Sequence, residues 1–405
     1  IQIRNINWET YFCFIPKLMI ESLEEGRKED GNRSIADKIL KCLTDSQKTI
    51  RSNYGRWAWE LLQNAKDSVA TFDDRKVSVE IELSDNDVVF RHNGGYFTEK
   101  DIRGLINQIS SKEAEEEEEV PEQHRKKTGK FGTGFITTHL LSRKVQVKGI
   151  LKASSGRFYK FNFLLDREGK TTKELAPKIE DAWITFHRSY QEINGEYDQT
   201  EFNTSFRYIF AKDEQRKTAK TGIKEFKKLI PFVLVFNPKI HSINLLTEGK
   251  KVYYEIGATT PEGITEVTKK TQSNSENLWI LHQSNGDTTV ATQLMVSPHG
   301  YALKDTSDFP KLFCDFPLIG TENFPFPIIV NSAFFNPLTE RNSIWLENPA
   351  DEQVRENQNI LEEAVQLFEN LIDMVVRKNF SELYHIAQTN ISQVDERYLN
   401  LHWYK

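Results

Sequence analysis

Thr128-Gly129-Lys130-Phe131-Gly132-Thr133-Gly134-Phe135 is the stretch from which the fold is read. Its glycines at 129, 132 and 134 precede the apolar run Ile136-Thr137-Thr138-His139-Leu140-Leu141, so the pattern predicts a loop turning directly into a helix. Glycine permits positive φ and lets a bound group approach the backbone closely. The first turn of a helix adds unpaired N–H groups and the positive end of its dipole, which together suit a phosphate. Taken alone, the stretch reads equally well as a phosphate cradle or a flexible surface loop. It is neither common nucleotide loop. A P-loop needs G-x-x-x-x-G-K-[ST], whereas Lys130 directly follows the first glycine; the dinucleotide fingerprint runs G-x-G-x-x-G after a strand, whereas here G-x-x-G-x-G follows a charged loop.

Upstream, 108–131 is a long polar connection with Glu113, a glutamate run at 115–119, Pro121 and the basic cluster Arg125-Lys126-Lys127. So long a loop inside a compact domain is usually functional or disordered. The acidic run reads as a solvated segment, and its end on the glycine loop makes it a candidate lid. Before it, 77–83 alternates strictly as a strand, 84–87 is a turn, and 88–91 returns as a second strand ending at His92-Asn93-Gly94-Gly95. A helix then begins with Thr98 as N-cap and Asp101 three residues later. Further upstream, 47–70 forms the first strong helix, with Trp57, Ala58, Leu61, Leu62, Ala65 and Val69 as its apolar stripe. Glu60, Asn64 and Asp67 share another face. That face is a solvated surface in an isolated helix, but the crowding of Trp57 and Trp59 puts Glu60 at the edge of a packed region.

Strand patterns at 145–151, 158–165, 183–187 and 206–210 complete an α/β sandwich with a mostly antiparallel sheet. The charged stretch 212–221 reads as a linker and domain boundary. A second α/β domain spans 222–345, opening at 226–233, with strands at 240–246, 251–256, 278–282, 289–296 and 327–330, and with 257–277 and 297–311 loop-like. From 351 to 391 the pattern is helical; Ile360, Leu361, Ala364, Leu367, Phe368, Leu371, Ile372 and Val375 form a stripe that closes the core or pairs with another subunit. Residues 1–50 read as irregular helix interrupted by a turn at Gly31-Asn32-Arg33-Ser34. The fold class is therefore α+β: an N-terminal helical segment (1–46), a two-layer sandwich (47–212, lid 108–131), a second α/β domain (222–345) and a C-terminal helical segment (350–405).

The 405 residues suffice for two or three domains, and 38% hydrophobic content supports real cores. A net charge of −6 gives no whole-protein footprint for nucleic acid, leaving only a local patch open. Cys13, Cys42 and Cys314 lack metal-ligand or disulfide spacing, which fits a reducing, cytoplasmic setting. No apolar run approaches the ~18 residues of a membrane span, and no secretory leader or internal repeat is evident. The chain begins at Ile1 rather than Met, which fits a fragment or a processed product.

Three pieces converge in order: Glu60-x-x-x-Asn64-x-x-Asp67 on a helix, His92-Asn93-Gly94-Gly95 after a strand, and Gly129-x-x-Gly132-x-Gly134 opening a second helix. Over residues 50–210 this resembles the GHKL (Bergerat-fold) ATPases, which include the ninety-kilodalton heat-shock chaperone, DNA gyrase B, MutL and histidine kinases. The sacsin-like branch, found in large bacterial ATP-binding proteins, is more similar still: it shares Leu61-Leu62-Gln63-Asn64-Ala65, His92-Asn93-Gly94 with Phe97-Thr98-Glu99, Phe131-Gly132-Thr133-Gly134-Phe135 with Thr138-His139, and Ile329-Val330-Asn331-Ser332-Ala333-Phe334 followed by Glu340-Arg341.

The resemblance implies ATP and Mg²⁺ as ligands and a second domain of transducer type. Mg²⁺ takes oxygen ligands and keeps waters, so the Asn64 amide oxygen with three phosphates suits it. Glu60 would orient or deprotonate the attacking water, a role contributing roughly 10²–10⁴-fold. Asp67 matches the supporting acid. Gly129, Gly132 and Gly134, with Phe131, Thr133 and Phe135 between and after them, would carry the phosphates, and Lys130 adds a cation. Thr204 resembles the threonine beneath the adenine, with Thr200 a competitor. Arg341 would reach the γ-phosphate from the second domain, or else forms an ordinary ion pair with Glu340; Lys112 at the lid entrance is a weaker candidate of the same kind. Two departures stand out. His92 replaces the Asp that accepts the adenine amino group, leaving a neutral imidazole or the Asn93 amide oxygen as acceptor. Tyr96 replaces the second glycine of that motif.

The leading expectation is an ATPase whose lid and second domain respond to the γ-phosphate; the alternative is a non-hydrolysing, nucleotide-gated scaffold. A histidine kinase would need a phosphoacceptor upstream, and residues 1–50 contain no His. The family's biological work implies chaperone-type activity or phage defence, a homodimer or larger assembly, and a protein client or effector, with no membrane partner.

Overall fold

The computed structural model describes residues 8–49, 54–108, 134–195, 197–338, 341–348 and 350–387. Its first half runs α1 (Trp8–Thr49), α2 (Arg56–Asp67), β1 (Val77–Leu83), β2 (Asp87–His92), α3 (Glu99–Asn107), α4 (Gly134–Thr138), β3 (Lys144–Lys152), β4 (Phe158–Asp166), α5 (Thr172–Ser189), β5 (Gln191–Glu192) and β6 (Thr204–Ile209). The second half continues with α6 (Asp213–Phe236), β7 (Ile240–Thr247), β8 (Lys250–Thr259), β9 (Ile264–Thr271), β10 (Ser275–Asn285), β11 (Thr288–Ser297), β12 (Gly300–Leu303), β13 (Leu312–Cys314), β14 (Phe316–Pro317), β15 (Ile329–Ser332) and α7 (Glu352–Arg377), then a 3₁₀ turn at Leu383–Ile386.

The alternation of apolar and polar residues decides the sheet. Val79 faces His92 and Ile81 faces Phe90 across the β1–β2 pair. Thr204 and Phe206 continue the row on β6 and Val147 on β3, so these side chains share one face, and it is buried. The opposite face is polar: Arg91 bridges Glu80 at 2.8 Å and Glu82 at 2.7 Å, and Gln146 donates to Asn162 at 2.6 Å. α2, α5 and α6 cover the apolar face; Phe186 of α5 lies 5.5 Å from Phe163 of β4, and Phe226 of α6 lies 4.2 Å from Trp59 of α2. In the second half, Leu361, Ala364 and Leu371 of α7 pack with Leu281, Leu294 and Val330 into a second core.

All strands belong to one mixed, mostly antiparallel sheet, in the order β14-β13-β15-β11-β10-β9-β8-β7-β1-β2-β6-β3-β4-β5, with β12 added to β11. Only β1–β7 and β13–β15 pair in parallel among the named strands. The β1–β7 pairing joins the two halves, whose boundary the composition sets at 212–221. That stretch is not a linker. It is the first half of α6, in which Ala219, Ile223, Phe226 and Ile230 are buried at helical spacing while the lysines face out, and Asp213 and Glu214 complement the positive end of the dipole.

Other local expectations are corrected. The turn at 31–34 is helical: α1 continues through Gly31, held to α5 by Lys28 and Asn32, which donate to Glu180 at 2.6 and 3.2 Å and offset the ~1 kcal/mol helix cost of glycine. The strand at 183–187 is the end of α5, whose N-cap Thr171 accepts from Glu174 N and whose buried Leu175, Ile179, Ala182 and Phe186 recur with helical period. The loop-like 257–277 holds the end of β8, all of β9 and the first residues of β10, and 297–311 holds β12, because these strands expose one face and so read as polar. The capping box at Thr98 and Asp101 is present. No helix among the described residues is long and apolar enough to cross a membrane.

Candidate functional site

Trp57, Ala58, Leu61, Leu62 and Ala65 pin α2 to the core, and that fixes where its other face points. Glu60 is only 7% exposed. Arg56, one turn earlier, donates through Nε to Glu60 Oε1 at 3.3 Å. The rest of the carboxylate lies against Gly134, the last glycine of the loop; a Cβ built there would collide with Oε2 and sit 3.1 Å from Cδ. The carboxylate therefore occupies the space that a side chain at 134 would take. Asn64, a turn later on the same face, is exposed, and Asp67 is half-buried.

The far end of α2 meets the turn after β2 in the same manner. Ser68 Oγ donates to Ala65 O at 2.7 Å and accepts from Gly95 N at 3.0 Å. A Cβ on Gly94 would collide with Ser68 Oγ and stand 2.6 Å from His92 Nδ1, and one on Gly95 would collide with Ser68 O. The Gly94 N–H donates to His92 Nδ1 at 3.0 Å. Arg75 closes the turn from outside, donating to the carbonyls of Asn93 at 2.8 Å and Gly94 at 2.7 Å and, through its other nitrogen, to Tyr197 Oη at 3.2 Å. Asn93 is engaged as well, its Oδ1 accepting from Ser78 N at 2.7 Å.

His92 is 4% exposed, between Phe90 at 6.2 Å and Phe206 at 6.5 Å. Burial and the Arg75 charge pull its pKa down to about 3, so the ring is neutral at pH 7. Thr204 is buried directly opposite it on β6. Thr200 is exposed and donates to Asp198 at 2.6 Å in a local turn, so Thr204 is the threonine that accompanies His92.

Lys112, Gly129, Lys130, Phe131, Gly132, Thr133, Glu340 and the lid from 109 lie outside the described residues. Where the description resumes, α4 has five residues rather than the longer helix expected through 141, which turns out of the helix. Phe135 packs on Phe206 at 5.5 Å. Arg341 has φ of 54°, its N–H donates to Leu338 O at 2.8 Å, and no hydrogen bond or ion pair joins it to Glu60 or Asn64 among the described residues.

Four residues were not singled out in the sequence. Ser68 and Arg75 act on backbone atoms of a distant turn, and the only signal for Ser68 is its place directly after Asp67. Arg167, 1% exposed, donates to the carbonyls of Leu105 at 3.1 Å and Ile106 at 2.6 Å and fixes the end of α3. Lys66 pairs with Asp315 at 2.7 Å, tying α2 to the second half of the sheet. Asp315 is itself held by Asn331 Oδ1, which accepts from its N–H at 2.9 Å, and by Asn237 Nδ2, which donates to its carbonyl at 2.8 Å.

Among the described residues no group of three or more His, Cys, Asp or Glu could hold a metal ion. No protein-family model matches the chain, and no curated protein matches it in sequence.

Proposed function

We propose that the chain is a GHKL-type nucleoside triphosphatase: a Bergerat α/β sandwich formed by α2 through β6, coupled to a transducer-like second half and a C-terminal helix, hydrolysing ATP or a related purine nucleotide with Mg²⁺. The observation that carries this reading is the convergence of three separated motifs on one helix, Glu60 against Gly134 at one end and Ser68 against Gly94 and Gly95 at the other. Glu60 would orient the attacking water, and Arg56 holds its carboxylate in place. The exposed Asn64 oxygen suits a hard cation that brings its phosphate and water ligands with it; the Mg²⁺ would neutralise charge on the phosphates. Gly129, Lys130 and Gly132 belong to the cradle in this proposal, with Arg341 and Lys112 as cations that reach it after closure. The Lys66–Asp315 pair offers the coupling from α2 to the second half.

The test is Mg²⁺-dependent phosphate release by the wild type and Glu60→Ala. Loss of roughly 10²–10⁴-fold is expected, with nucleotide binding retained; equal rates would remove the enzyme reading. The Arg56–Glu60 ion pair favours the second reading, a nucleotide-gated scaffold that binds without hydrolysis, and the same measurement separates the two. Chaperone-type work or phage defence, in a homodimer or larger assembly with a protein client or effector, is the proposed biological setting. A plaque assay comparing wild type with Glu60→Ala would exclude defence if both protected equally.

A further inference from the structure

Both side-chain acceptors of the turn at 92–95 are engaged within the protein: His92 Nδ1 and Asn93 Oδ1 accept from Gly94 N and Ser78 N respectively. The carbonyls of Asn93 and Gly94 accept from Arg75, and Ser68 Oγ, pressed against the turn, accepts from Gly95 N. A neutral imidazole that accepts at Nδ1 carries its proton on Nε2. That N–H has no hydrogen-bond partner among the described residues, on a side chain 4% exposed. Rotating the ring would not turn it into an acceptor, because the Gly94 N–H would lose its partner at Nδ1, and Phe90 and Phe206 flank the ring. Thr204, opposite His92, can donate or accept, so it does not discriminate.

We infer that His92 makes the base end of this site a hydrogen-bond donor, so that it selects a purine carrying an acceptor at position 6, a 6-oxopurine nucleotide, over adenine. The inference rests on the nucleotide-binding reading above. A carbonyl at position 6 accepts the Nε2 proton. An amino group there sets donor against donor and offers the Nε2 proton no acceptor at position 6. Phosphate and metal contacts are common to both nucleotides, so the difference falls on the base alone.

The test compares inosine triphosphate with ATP in Mg²⁺ by isothermal titration on the wild-type chain, because hypoxanthine differs from adenine only at the edge bearing position 6 and N1. Inosine triphosphate should bind on the order of tenfold more tightly. ATP binding as tightly or more tightly overturns the inference and leaves the nucleotide reading standing. Absence of binding by either nucleotide overturns that reading, and the inference with it. His92→Asp supplies an acceptor at the same point, where Arg75 offsets the added charge; the preference should then reverse toward ATP. A folded His92→Asp variant, by circular dichroism, that still prefers inosine triphosphate counts against His92 as the reader. Should that variant not fold, the wild-type comparison decides alone.

Discussion

The two ends of α2 are built alike and left in different states. Each presses a side chain of the helix region against a glycine of a distant loop, Glu60 against Gly134 and Ser68 against Gly94. At the Ser68 end the turn spends its side-chain acceptors on itself: His92 takes Gly94, Asn93 takes Ser78, and Arg75 takes two carbonyls. At the Glu60 end one carboxylate oxygen is paired with Arg56, and the other meets no donor among the described residues. The first has its acceptors engaged and leaves the His92 Nε2 donor facing outward from those bonds, which suits recognition. The second retains an unspent acceptor beside a backbone without a side chain, suited to a water that must be both held and activated.

Substitutions at each end should separate these roles. The largest effect is expected from Gly134→Ala. Its methyl group would displace the Glu60 carboxylate, so phosphate release should fall by roughly 10²-fold or more, as in Glu60→Ala. Turnover within tenfold of wild type would mean that the glycine serves only the loop. Between the ends, Lys66→Ala strands Asp315 in a mostly buried pair and should cost about 3 kcal/mol in urea unfolding. The double variant with Asp315→Ala should recover part of that loss; strict additivity would show the pair to be energetically silent.

The recognition end should reveal itself through pH. His92 binds a proton in the unfolded chain below about pH 6.5 but in the folded chain only near 3, so its contribution weakens as pH falls through that window. The stability penalty of His92→Asn should therefore shrink by about 2 kcal/mol between pH 7 and pH 5. A constant penalty would mean that the imidazole is not held neutral by its surroundings. The smallest effect is expected at Gly94: Gly94→Ala should cost about 1 kcal/mol more in the wild type than in a Ser68→Ala background, where the colliding hydroxyl is gone.

What could be read from residues alone follows from period and range. α2, β1, β2 and the capping box at Thr98 have strong local periodicity, and the structure reproduces them. Glu60, Asn64 and His92 could be singled out because each lies in a short motif. Ser68 and Arg75 could not, since each acts on the backbone of a turn 18 to 27 positions away, and that approach exists only after folding. The Lys66–Asp315 pair spans 249 positions and left no local trace. The charged start of α6 reads as a linker because its lysines outnumber the few buried residues that define its stripe, and β9 reads as a loop because its outer face is as polar as one, whereas the strand expected at 278–282 is the middle of β10.

The parallel register between β1 and β7 has a practical consequence. A chain cut after Ile209, where the sandwich looks complete, would strip β1 of the neighbour that pairs with it from Val77 to Leu83. The exposed strand is rich in Val and Ile and lies at the middle of the sheet, so such a fragment would present a ready template for other chains. During synthesis the same edge, complete once Leu83 is made, stays open until Thr247 has emerged to pair with it.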